Sequence, residues 1–199
     1  MDWCDDVPMS IILIRHGETD LNAARILQPP DTPLGTNGVA QAAAVAQRVV
    51  SLAPRALMSS DLRRAWQTAE AIAATTGLAI EPEPLLHERN FGDWRGRPWG
   101  DMELDPSTFL GTPPNGESPE VFEARVALAW AAVLARRVQL DGPLVVVSHG
   151  LVLHRMLRAH VRLADGVQLP LKLHNTAVSI VNAESPHVAR LVGDTRHLE

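Results

Sequence analysis

Little in this chain points to a cross-linked or membrane-bound protein. One cysteine, Cys4, stands among 199 residues, so no intrachain disulfide can form and a reducing, cytoplasmic setting is expected. No stretch approaches the roughly 18 consecutive apolar residues that a membrane span needs. The opening residues carry Asp2, Asp5 and Asp6 where a leader would place basic residues before an apolar run, so no signal peptide and no membrane partner are expected. Lysine occurs once, at Lys172, leaving 17 of the 18 basic residues as arginine, and the net charge is −5. No basic stripe emerges to neutralise phosphates in series, which argues against a nucleic-acid partner. His-Glu-x-x-His, paired cysteines and carboxylate clusters are all missing, so neither a metal nor a cofactor is expected.

What is present reads as one domain over residues 1–199. Apolar residues make up 46% of the chain, enough for a single three-layer core. Residues 1–8 read as a lead-in and Asp20–Leu34, rich in proline, as a long loop. Helical spacing of apolar residues marks Thr36–Leu52, a segment from an Asp61 cap to Thr76, Ser118 to about Leu140, and Leu151–Val161. Ser118 followed by Pro119 is a cap followed by the first helical position. Short apolar runs at Ile11–Ile14, Ala56–Ser59, Leu78–Glu83, Leu144–Val147, Ala177–Val181 and Val188–Leu191 read as strands. His87–Gly116, dense in Gly, Pro and aromatics, reads as an ordered loop. Strands alternating with helices imply an α/β fold: a doubly wound, mostly parallel sheet with helices on both faces.

Two strands end alike. Ile11-Ile12-Leu13-Ile14 runs into Arg15-His16-Gly17-Glu18-Thr19, and Leu144-Val145-Val146-Val147 runs into Ser148-His149-Gly150. Ligands of open α/β sheets sit beyond the carboxyl ends of strands. If the two strands are parallel neighbours, His16 and His149 meet there, with Arg15 offering a planar fork that matches phosphate oxygens. An Arg-His-Gly triplet at the end of the first strand resembles the histidine phosphatase superfamily, the phosphoglycerate-mutase-like group. The resemblance runs from Ile11 to about Leu198.

That resemblance implies a phosphoglycerate-mutase-like fold and a set of roles. His16 is the implied nucleophile, forming a phosphohistidine, and Arg15 binds the phosphate. Asn22 matches a position whose amide donates to the phosphate. Arg64, in Ser59-Ser60-Asp61-Leu62-Arg63-Arg64-Ala65, matches the second phosphate arginine, and His149 the second histidine, expected to be protonated or donating. Glu88, ahead of Phe91-Gly92-Asp93-Trp94, matches the general acid. Glu18 and Thr19 read as turn-forming support and Arg63 as a solvated helix residue. Arg89 and Leu151 are expected at the leaving group, while His87, His154, His160 and His174 receive no catalytic role.

The expected activity is hydrolysis of a small-molecule phosphate ester. Rivals are a bisphosphoglycerate-dependent phosphoglycerate mutase, a dedicated phosphatase such as an α-ribazole-phosphate phosphatase, and a non-catalytic phospho-ligand binder. The binder would usually lose His16 or Glu88, and both are present. Against the mutase stand a stretch of only 26 residues between Glu88 and Asn115, Phe91 where mutases carry tyrosine, in a chain without any tyrosine, and Leu151 where mutases place asparagine. A homo-oligomer is compatible with everything above.

Overall fold

The computed structural model describes residues 9–102 and 105–199; the lead-in read over residues 1–8 lies outside them. The first strand, β1 (Ser10–Arg15), is buried along its length except at Arg15. Its two faces alternate, as a strand covered on both sides requires. Ile11 and Leu13 enter one apolar cluster and Ile12 and Ile14 the other. A short helix, α1 (Asp20–Ala23), interrupts the expected long loop, capped by Thr19 and by the Asn22 side chain reaching back to the Thr19 N–H.

Next come α2 (Thr36–Val50), β2 (Ala56–Ser59), α3 (Arg63–Thr76) and β3 (Ile80–Pro82). They are followed by α4 (Pro119–Arg137), β4 (Leu144–Ser148), α5 (Gly150–His160), β5 (Arg162–Leu163), β6 (Val178–Asn182) and β7 (Val188–Asp194). The strand order is β3-β2-β4-β1-β6-β7-β5. The pairings leave β6 alone reversed against the other strands. Helices α2 and α3 cover the face formed by Ile12, Ile14, Leu57 and Val145, and α4 and α5 cover Ile11, Leu13, Met58 and Val146.

Of the boundaries that differ from the sequence reading, three have a visible cause. Leu62, not Asp61, stands at the cap position of α3 and makes no side-chain cap bond, because the Asp61 carboxylate is taken by the His87 ring. The third strand is confined to Ile80–Pro82 because β2 offers only Leu57–Ser59 to pair with it. Helix α4 stops at Arg137, where Gln139 and Leu140 donate to Arg136 and Arg137 in tighter turns. Ser118 does cap it, accepting from the Val121 N–H at 3.3 Å. No helix among the described residues is long and apolar enough to cross a membrane.

Candidate active site

Parallel pairing of β1 with β4 sets Arg15 opposite Ser148, so the next residues, His16 and His149, leave the sheet side by side. Their ring centroids are 5.1 Å apart at an interplanar angle of 57°. The His16 Nδ1 lies 2.7 Å from the Gly17 carbonyl oxygen. That contact assigns the proton to Nδ1 and leaves Nε2 with a free lone pair. The turn behind it is clamped: the Gly17 N–H donates to Thr68 Oγ1 at 3.0 Å. A Cβ on Gly17 would meet the Gly38 carbonyl oxygen at 2.6 Å, so a side chain there would push α2 away. Burial, then Arg64 and Arg15, hold His16 well below the ordinary histidine range. These surroundings favour its neutral form, the form in which an imidazole can act as a nucleophile.

His149 is fully buried. Its Nε2 is 2.8 Å from Ser60 Oγ, which itself accepts from the Leu62 N–H. We assign the Ser60 hydroxyl as donor, which places the His149 proton on Nδ1, where no partner is present. Burial, Arg64 and His16 also hold this ring well below the usual range. Of the two forms expected for His149, the neutral donor is the one its surroundings favour.

Two arginines complete the inner wall. Arg64 is 2% exposed, in the first turn of α3; its Nη1 donates to Pro29 O at 3.2 Å and its Nε has no partner. Arg15 donates from Nη1 to Leu173 O at 2.5 Å, and its Nε is likewise buried and unpaired. Burial lowers the pKa of both, that of Arg64 to about 10, against the opposing pull of Glu88. Buried donors left unpaired cost free energy unless something accepts from them. Arg15 Nε, Arg64 Nε and His149 Nδ1 are three such donors contributed by adjoining residues. A phosphoryl group is an acceptor with enough oxygens for all three.

Glu88 lines a cavity of about 140 Å³ together with Arg15, His16, Asn22 and Arg64. Its Oε1 accepts from the Arg89 N–H at 2.9 Å and its Oε2 from the Leu151 N–H at 3.2 Å. Asn22 Oδ1 accepts from the Thr19 N–H and from Asn175 Nδ2, so its amide nitrogen is the group left to donate into the cavity.

A family model for the histidine phosphatase superfamily (branch 1) matches residues 11–192. The chain belongs to the histidine phosphatase superfamily. A probable phosphoglycerate mutase GpmB from Yersinia enterocolitica is 34% identical over 96% of this chain and 95% of its own length. Among solved structures, a mycobacterial glucosyl-3-phosphoglycerate phosphatase in complex with VO3 superposes with a TM-score of 0.74 at 27% identity, covering 94% of this chain and 98% of that one. A phosphoglycerate mutase from Bacillus anthracis shares the fold, with a TM-score of 0.79 at 21% identity over 96% and 95% of the two chains.

Within this superfamily member, Arg89 departs from the role expected of it. It touches the cavity, but its Nη1 donates to Phe109 O and its Nη2 to Gly111 O and Glu117 O. Phe91, Phe109 and Phe122 surround the guanidinium. The side chain staples the 88–117 loop, and its terminal nitrogens are committed to carbonyls. Leu151 lines the cavity and contributes through its N–H to Glu88. His154 also lines the cavity, His160 stacks on Trp130, and Glu18 and Thr19 support the turn through Gln41, Asn37 and Gln28.

Sequence reasoning missed four supporting residues. Ser60 orients His149, Asn175 donates to His16 O at 3.0 Å, and Arg125 with Glu117 anchors the loop that carries Glu88. Arg125 donates to both Glu117 oxygens, to Leu85 O and to His87 O. Only Glu117, beside the Ser118 cap, had a local signal; the others are polar residues whose partners lie far along the chain. Among the described residues no group of three His, Cys, Asp or Glu side chains could hold a metal ion.

Proposed function

We propose that this protein is a phosphomonoesterase working through a phosphohistidine on His16. The observation that carries the reading is the set of three unpaired buried donors, Arg15 Nε, Arg64 Nε and His149 Nδ1, beside a neutral imidazole. Donors fixed in place where charge develops need no reorganisation during reaction, and such preorganisation supplies most of the acceleration of slow phosphoryl transfers.

In the first step His16 Nε2 forms a bond to phosphorus and the ester P–O bond breaks. Its electron pair stays on the departing oxygen, which takes the proton of the Glu88 carboxyl. In the second step Glu88 accepts a proton from water, the water oxygen bonds to phosphorus, and the N–P bond breaks to release phosphate and neutral His16.

Hydrolysis is favoured over mutase action by the outer wall. Ile26, Pro30, Leu62, Trp99 and Leu171 are apolar, Lys172 is tied to Asp105, Arg89 is tied to main-chain carbonyls, and Arg95 is a single further cation among them. That wall suits the partly apolar alcohol of a small phosphate ester better than a second phosphate.

The test has two measurements. Rapid quench with a labelled phosphomonoester should trap acid-labile phosphate on the protein, and His16→Ala should lose both label and turnover. Phosphate release should exceed 3- to 2-phosphoglycerate interconversion, with or without 2,3-bisphosphoglycerate. Bisphosphate-dependent interconversion faster than release would establish the mutase named among the relatives instead.

A further inference from the structure

The turn that leads into β6 holds a residue in an unfavourable conformation. Thr176 has a φ of 53° and is fully buried. Left-handed backbone is uncommon outside glycine and hardest on a β-branched side chain. It persists where the surroundings impose it, and such positions gather at functional sites. Here the turn brings two donors onto one acceptor: Asn175 Nδ2 and the Thr176 N–H both donate to the His16 carbonyl oxygen, at 3.0 and 3.3 Å. The His16 N–H donates in turn to Ser148 O at 2.9 Å, so the peptide groups on both sides of the His16 Cα are held. Asn175 Nδ2 also donates to Asn22 Oδ1 at 3.3 Å, which leaves the Asn22 amide nitrogen for the cavity.

From this turn a line of hydrogen bonds runs to the C-terminal turn Arg196–Leu198, and each of its directions is set. Arg48 on α2 donates from Nη2 to Asp194 at the end of β7, a carboxylate that also accepts from Arg196. The Nη1 of Arg48 is 3.3 Å from His197 Nδ1. A guanidinium only donates, so Nδ1 is the acceptor and the ring proton is assigned to Nε2. That nitrogen is 3.0 Å from Thr176 Oγ1, and the Thr176 hydroxyl donates onward to Asn175 O at 2.8 Å. Burial and then Arg48 lower the His197 pKa to about 4, favouring the neutral ring that this direction needs. Bonds aligned in one direction polarise one another.

We propose that the C-terminal turn positions the nucleophile, with His197 and Thr176 acting through Asn175 on the His16 peptide and the Asn22 amide. The inference rests on the reading of His16 as the nucleophile. His197 and Thr176 are positioning residues: neither lines the cavity, and each is tied to it by the bonds above. A small displacement of a reacting group costs up to about 100-fold in rate even when its cause is remote.

Four variants of the full chain test the relay, by steady-state kinetics on p-nitrophenyl phosphate and rapid-quench labelling of His16. Thr176→Val keeps the shape and removes the hydroxyl; His197→Leu removes the ring donor. Each should lower kcat and the labelling rate by roughly 10–100-fold. Affinity for inorganic phosphate should stay nearly unchanged, because Arg15, Arg64 and His149 take no part in the relay. Thr176→Ser and His197→Gln, which can donate and accept at the same places, should recover most of kcat. The Thr176→Val/His197→Leu double variant should lose little more than the worse single one, as members of one line do. Melting profiles verify each fold, and His197, only half-buried, gives a variant that leaves the core intact. A labelled chain whose kcat is indifferent to His197→Leu overturns the relay, as do losses that serine and glutamine fail to recover or that simply add. Absence of label on the unaltered chain overturns the nucleophile and the relay together.

Discussion

Three side chains in this site are each held by one nitrogen and left open at another. Arg15 and Arg64 spend Nη1 on the carbonyls of Leu173 and Pro29, and His149 spends Nε2 on Ser60. Each is thereby fixed in direction while a second donor stays unpaired. Glu88 is placed in a similar way, its oxygens steered by the N–H groups of Arg89 and Leu151. Glu88→Gln keeps those contacts in outline and removes the transferable proton. Turnover of alkyl phosphates should fall by roughly 10²–10⁴-fold, while p-nitrophenyl phosphate, whose leaving anion is already stable, should lose much less. Equal losses across leaving groups would mean that Glu88 shapes the loop without transferring a proton.

At the scale of elements, the site depends on how one loop is tied to one helix. Arg125 on α4 reaches Glu117, Leu85 and His87 with its guanidinium, and Arg89 gathers Phe109, Gly111 and Glu117 from inside the loop. Removing Arg125 would leave the Glu117 carboxylate, only 13% exposed, without its cation. Arg125→Met should therefore destabilise the fold by about 3 kcal/mol and lower kcat more than it raises KM, because Glu88 loses its placement. Arg125→Lys, restoring charge without the fork, should recover stability before it recovers kcat. Thermal melts and steady-state kinetics of the two variants separate these effects.

Elements with a strong local signal were legible in the sequence: buried strands such as Leu144–Ser148 and capped helices such as the one opened by Ser118. His16 and His149 could be brought together because two like strand ends imply parallel neighbours. The Arg125 and Arg89 staples were not legible, since their partners are main-chain carbonyls that carry no residue type. Nor was the Asp61 cap correctly placed, because a histidine 26 positions away competes for its carboxylate.

At the scale of the molecule, the charge state of the buried histidines couples the site to folding. His16 and His149 are held well below the ordinary value of 6.5, and His197 is lowered to about 4 by burial and Arg48. An unfolded chain protonates these rings near 6.5 while the folded chain does not, so below that pH the unfolded state binds more protons. Stability is then full above about pH 6.5 and declines as the pH falls towards the folded-state values. Melting temperatures measured between about pH 7.5 and 5 should fall. His197→Gln should shallow that fall without touching the cavity. Inorganic phosphate should also raise the melting temperature, since it gives the three unpaired donors an acceptor in the folded state alone. A pH-independent melting temperature would contradict the buried neutral rings.

The place of β1 has a consequence for how the protein is made. The strand that ends in Arg15 and His16 is the first of the sheet to leave the ribosome, yet both its neighbours come late: Leu144–Ser148 on one side and Val178–Asn182 on the other. Until those segments emerge, a run of four large apolar side chains has no sheet to join, and long-range pairing of this kind forms slowly. A growing chain stalled before Asn182 would hold His16 at the end of a strand still lacking one or both of its neighbours, with the site incomplete. On the proposed function, phosphoryl chemistry thus waits until residue 182 has emerged, and a nascent chain shorter than that cannot act on a phosphate ester.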